Sequence, residues 1–232
     1  MGSRVGRSTA VVAAAFVASG AALAATDPVA ALSASLKAAK AQRSVHYVAE
    51  FAGRNPQTGG DEHVTIVGDA AADRGVQRIT FRADGRAGRV TVAVVKAKAY
   101  VRGDAFTLEN YMGFASAAAA ADAGRWLVVS KGGFATVAEG VRLASAIEEL
   151  RLPAPLTLRP RTSIGGIRVF GISGAVARFG HRYTETVFVR ASGVPLPVME
   201  VGHGGGNLLS VRFSRWNERV SVSAPAGARP AP

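Results

Sequence analysis

The side chains best suited to chemistry are few and dispersed along this chain. Its four histidines, His46, His63, His181 and His203, stand far apart, and no two of them have the helical spacing that lets a pair of imidazoles share one metal ion. Asp61-Glu62-His63 puts three potential ligands in a row, but it follows Gly59-Gly60 at the start of a strand pattern and reads as a solvated turn. Gly171-Ile172-Ser173-Gly174 looks like a shortened nucleophile elbow. It lacks the spacing of G-x-S-x-G and falls where one strand should follow another, whereas an elbow needs a strand running into a helix. The glycine run Gly202-His203-Gly204-Gly205-Gly206-Asn207 could cradle a phosphate on its backbone N–H groups. It has no Lys-Ser/Thr pair and precedes the strand-like Leu208 to Phe213, so it reads as a hairpin connection. Arg102-Gly103-Asp104 spells an adhesion tripeptide, yet Asp104 is more economically a helix cap. No catalytic or metal-binding residue is assigned, no cofactor is expected, and the chain reads as non-enzymatic.

Attention therefore moves to the elements. Asp27-Pro28 is a helix start, with Val29, Leu32, Leu36 and Ala39 following at spacings of one helix face. From Ser44 the period drops to two: Val45, Tyr47, Ala49 and Phe51 alternate with polar neighbours, Val48 being the exception. Similar strands follow at 64–66, 78–82 and 89–94, separated by the turn signals Asp73-Arg74-Gly75 and Asp84-Gly85. Helix-forming sequence interrupts them at 104–111 and 116–123, ahead of a short segment at 126–129. A second amphipathic helix is expected from Phe134, Val137, Val141 and Ala144, preceded by Gly132-Gly133 and ended by Pro153. Alternation returns at 167–169, 183–190, 197–201, 208–214 and 219–223. The reading is α+β: one curved antiparallel sheet of about ten strands with helices on its concave face. Arg78, Arg82, Arg89, Arg190 and Arg212 fall at polar strand positions, so the convex face should be wet and basic.

The first residues fix the expected compartment. Arg4 and Arg7, the small apolar run 10–20 and Ala22-Leu23-Ala24 have the form of a secretory leader, giving residues 1–24 as signal peptide, 25–224 as a single domain and 225–232 as a disordered, Ala/Pro-rich tail. The apolar run is shorter than the ~20 residues a membrane span needs. With no cysteine among the 232 residues, neither a disulfide nor an acylated cysteine is expected. The expectation is a soluble, exported, extracytoplasmic monomer. Its formal charge of +12, carried mostly by arginine, favours anionic partners such as a membrane surface, while export argues against nucleic acid.

The C-terminal stretch Val211-Arg212-Phe213-Ser214-Arg215-Trp216, continuing through Val220-Ser221-Val222-Ser223-Ala224-Pro225, resembles the closing strands of envelope lipoproteins of the LppX/LprG type. Ala191-Ser192-Gly193-Val194-Pro195-Leu196-Pro197-Val198 is similar to their Gly-x-Leu-Pro hairpin, and Ala97-Lys98-Ala99-Tyr100-Val101-Arg102-Gly103 to their Gly-Lys-x-Tyr-Val-Lys strand. The resemblance implies a LolA-like half-barrel whose apolar cavity holds the acyl chains of lipids or glycolipids. This chain departs from those lipoproteins by lacking the lipobox cysteine. RseB-like proteins use the same fold to sense partners, so the resemblance also implies an alternative, an interaction or sensor module with a filled core. On the carrier reading the candidate lining from the sheet is Tyr47, Phe51, Ile66, Phe81, Val92 and Val94, with Val169, Val187, Val189, Val211 and Phe213. Leu32, Leu36, Val137 and Val141 would face them from the helices. Burying a sixteen-carbon chain at ~0.8 kcal/mol per methylene is worth roughly 12 kcal/mol gross, against about 1 kcal/mol for each surface charge, so a cavity would dominate binding.

Overall fold

The computed structural model describes residues 27–54, 59–83, 85–129, 137–178 and 181–232. The leader, Thr58, Asp84, Gly132-Gly133 and Phe134 lie outside the described residues. Helix α1 (Pro28–Lys40) starts as expected: the Asp27 carboxylate accepts a hydrogen bond from Val29 N (2.9 Å), and Pro28 needs no partner at the first turn. Then come β1 (Ser44–Arg54), β2 (Asp61–Ala71), β3 (Arg74–Ala83), β4 (Arg86–Val95) and β5 (Lys98–Gly103). Two short helices, α2 (Ala105–Asn110) and α3 (Ser116–Asp122), lead to β6 (Leu127–Val128). After α4 (Leu143–Glu148) the chain returns as β7 (Thr157–Ile164), β8 (Ile167–Arg178), β9 (His181–Arg190), β10 (Pro197–Gly204) and β11 (Asn207–Ser214), and ends in β12 (Arg229–Pro230).

All twelve strands form one curved, unclosed sheet in the order β12-β6-β5-β4-β3-β2-β1-β11-β10-β9-β8-β7. Every pair is antiparallel except β12 on β6. The two runs of hairpins meet at β1 and β11, where Tyr47 lies opposite Phe213. The register carries one face across the sheet: Leu127, Val101, Val92, Gln77, Gly68, Tyr47 and Phe213 are successive neighbours. The helices cover this face, α1 against β8 and β10 and α2 against β4 and β5. Two apolar clusters result. One joins Leu32 and Ala39 to Val45, Tyr47, Ile147, Ile172, Val187, Val189 and Phe213, and the other joins Leu108 and Ala119 to Phe81, Val92, Val94, Val101 and Val141.

Three expectations need correction. The helix expected through Val137, Val141 and Ala144 does not run unbroken: Gly140 and Val141 form a turn, Arg142 bridges in parallel to Ala71, and α4 begins at Leu143. The cause is close passage over β3, where a Cβ on Gly75 would collide with the Val141 carbonyl. The expected strand at 219–223 is absent, and the tail is structured: Arg229 N donates to Trp126 O (3.0 Å) and Ala231 N to Val128 O (2.9 Å), adding β12 to the sheet. β7 was not expected, because its exposed, polar sequence with Pro160 has no apolar side. That composition suits an edge strand.

The motifs set aside above fall into structural roles. Asp104 caps α2, accepting from Thr107 N (2.8 Å) and from Arg89 N (2.6 Å). Gly205 and Gly206 turn β10 into β11, and Ser173 sits within β8, its hydroxyl 2.7 Å from that of Thr186.

Candidate functional site

Burial along the helix-covered face changes from one row of side chains to the next. In the first row Tyr47, Val92 and Phe213 are buried, and Val45 and Val94 beside them are almost fully so. What seals this row is the 137–142 segment crossing above it. The Tyr47 hydroxyl donates to the Gly140 carbonyl and lies 3.0 Å from the Gln77 amide oxygen, and the missing side chain of Gly68 makes room for the ring. Burial, with a smaller contribution from Asp69, pushes the Tyr47 hydroxyl far above its usual ionisation range.

Two residues further along the strands the cover thins. Ala49, Ile66, Ile79 and Val211 are register neighbours on the same face and only partly buried, and so are Phe51, Val64 and Leu209 in the row after them. These residues belong to β11, β1, β2 and β3, the strands between the α1 layer and the α2 layer. Phe81 ends the row at the flank, where it stacks on Tyr111 at 3.5 Å between ring centroids. An open pocket of about 920 Å³ lies at the strand ends and draws on both faces, with Gly53, Glu62 and Ala83 from the helix side and Arg54, His63, Arg82 and Leu208 from the other. The Tyr183 hydroxyl and Asn207 Nδ2 (2.7 Å) close the face towards β9. The helix-covered face thus passes from a sealed row to two half-buried apolar rows, a shallow trough flanked at its far end by Tyr111, whose hydroxyl donates to Glu62 (3.1 Å).

The fifteen candidate lining residues divide accordingly. Phe51, Ile66 and Val211 stand in the two half-buried rows, with Ile66 and Val211 packed against the first cluster. Leu36 and Val137 are partly buried against the two clusters. Tyr47, Phe81, Val92, Val94, Val187, Val189, Phe213, Leu32 and Val141 are buried in packed core. Val169 is misplaced: it pairs with Arg190, while Val187 and Val189 pair with Ile172 and Phe170, so Val169 faces away from the helices. The adjacent apolar pair Val169-Phe170 leaves the strand's parity ambiguous in sequence, and Val169 is buried on its own side. Val64, Ile79 and Leu209 share these rows and were not among the candidates, although their parity relative to Phe51 carried the signal. Also missed were Glu185 and Glu200, buried carboxylates at inward positions of β9 and β10; neither is unpartnered. Gly202, opposite Glu185, leaves space for that side chain.

Solved structures share this fold. LprF from Mycobacterium bovis aligns over 86% of this chain and 97% of its own, with TM-score 0.58 and 16% identity. The Mycobacterium tuberculosis lipoprotein LppX aligns over 84% and 98%, with TM-score 0.54 and 18% identity. No family model and no curated sequence matches the chain. The fold is a LolA-like half-barrel of the LppX type, as the sequence resemblance implied. No helix among the described residues is long and apolar enough to cross a membrane.

Proposed function

We propose that this is an exported, non-enzymatic lipid-binding protein that holds acyl chains in the trough between its helix layers. The observation that carries the reading is the pair of half-buried rows, Ala49–Ile66–Ile79–Val211 and Phe51–Val64–Leu209, on a face whose neighbouring row is closed. A contiguous apolar trough in water is unfavourable unless something covers it, and alkyl chains fit its chemistry at ~0.8 kcal/mol per buried methylene. The likeness in fold to a lipoprotein and the leader-like residues 1–24 support an extracytoplasmic setting.

The test is native mass spectrometry with solvent extraction of protein purified from its own host. Lipid should co-purify, and Ile66→Trp, which fills the trough without entering the sealed row, should reduce loading while leaving the unfolding transition in place. Protein that carries no lipid and takes up none, with an Ile66→Trp variant that simply unfolds, would make the face a packed core and the protein an interaction module.

A further inference from the structure

The face that bears no helices carries its own pattern. Register neighbours across it run Arg102, Thr91, Arg78, Val67, Val48 and Arg212. On the same face, Arg89 lies opposite Thr80, and Arg82 lies opposite His63 and Ala87. All five arginines are exposed, and none of them forms an ion pair among the described residues. Four of the five stand on three adjacent strands, interleaved with Thr65, Thr80 and Thr91. Arg78 and Arg82 are ~13 Å apart along β3, and Arg78 and Arg102 are about 10 Å apart across two strand spacings.

Nearby acids do not neutralise the array. Asp69 is held by His46 (2.8 Å) and Arg215 (3.5 Å), and Asp104 accepts the backbone N–H groups of Arg89 and Thr107. Glu50 and Asp61 share the face, but from β1 and the far end of β2.

We propose that Arg78, Arg82, Arg89 and Arg102 form a docking surface for a bilayer bearing anionic phospholipid head groups, whatever the trough on the other face holds. The array extends in two dimensions, along β3 and across three strands. A linear polyanion would be matched by a single track of charge, whereas a planar array matches a sheet of phosphates, each of which a guanidinium can grip with two hydrogen bonds. Threonine hydroxyls between the arginines add donors to the same surface. Docking by this face leaves the helix-covered rows pointing the other way, and of the four arginines only Arg82 also borders the pocket at the strand ends.

Co-sedimentation of the purified protein with phosphatidylglycerol-containing vesicles tests this directly. The protein should pellet with these vesicles, not with pure phosphatidylcholine vesicles, and should be released near 1 M salt, where the screening length falls to ~3 Å. Each basic residue near an anionic leaflet is worth a factor of about five in partitioning. A variant with Arg78, Arg89 and Arg102 all changed to Gln should therefore bind about a hundredfold more weakly. A second variant, changing Lys37, Arg43 and Arg161 to Gln, removes the same net charge elsewhere and should retain most of the binding. Equal losses in the two variants would replace the surface by net charge alone. No binding by the wild-type protein, or capture by soluble polyphosphate that vesicles do not displace, would overturn the bilayer assignment. Lipid loading of the first variant, read by native mass spectrometry, should equal wild type, so that failure of docking and failure of the lipid-binding reading give different results.

Discussion

Tyr47 and Phe51 stand four residues apart on one strand, point to the same face and belong to the same alternating pattern, yet one is sealed and the other half-open. Both are aromatic and both have apolar neighbours on the flanking strands. The difference lies in what passes overhead. Above Tyr47 the 137–142 segment descends until Gly140 and Val141 meet β1 and β3, whereas the cover over Phe51 leaves it half-buried. Strand sequence decides which face is apolar, and the crossing segment decides where that face becomes sealed core and where it stays half-buried.

The largest expected effect tests this contrast. Phe213→Ala, beside Tyr47 in the sealed row, should cost about 3–5 kcal/mol, as for an aromatic removed from a filled core, while Phe51→Ala should cost clearly less. Denaturant curves with equal m-values measure both. Equal losses would mean that the two rows are one core and that no trough exists.

A smaller effect sharpens the role of the crossing. Tyr47→Phe leaves the Gly140 carbonyl and the Gln77 amide without their hydroxyl partner and should cost about 1–3 kcal/mol. It should also change the alkaline response. Because the folded-state Tyr47 hydroxyl ionises well above its usual value near 10, the unfolded chain loses that proton first. The stability linked to this group is complete below pH ~10 and falls as pH rises beyond it. Wild-type stability should therefore decline above pH ~10 more steeply than that of Tyr47→Phe, measured by urea titrations across that range. Parallel profiles would show that the ring is solvated and the seal loose.

The smallest effect concerns the tie between α1 and α4. Lys40 Nζ and Glu148 Oε2 are 3.0 Å apart, but both side chains are exposed. Lys40→Gln should leave the denaturant midpoint unchanged within experimental scatter, because an exposed pair contributes little. A measurable loss would mean that the helix layer is held by charge as well as by packing.

Much of this was legible in the sequence because it is local. Asp27-Pro28 announced α1, alternation located most strands, and Arg78, Arg82, Arg89 and Arg212 sat at polar positions that became the bare face. What stayed hidden depends on contacts distant in sequence. The break at Gly140 arises from close approach to Gly75, and the open and sealed rows share one pattern until the crossing segment is placed. Val92 and Val94 carry the same apolar signature as Ile66, and only the layers above distinguish core from lining. β7 gave no signal because an edge strand with arginine and proline has no face to advertise.

The C-terminal segment has a consequence for synthesis. Leaving β11, it is pinned where Asn217 N donates to Ser44 O (3.0 Å), passes beside His46, Asp69 and Val76, and supplies Arg229–Ala231 to the outer edge of β6. The β1–β6 half of the sheet emerges from the ribosome well before this segment, so its last strand stays open along one side until residues about a hundred positions later arrive. Until then that unfinished edge is a standing invitation to pair with the wrong chain. A purification tag fused directly after Pro232 would bear on the same edge, and a tag placed at the other terminus avoids it.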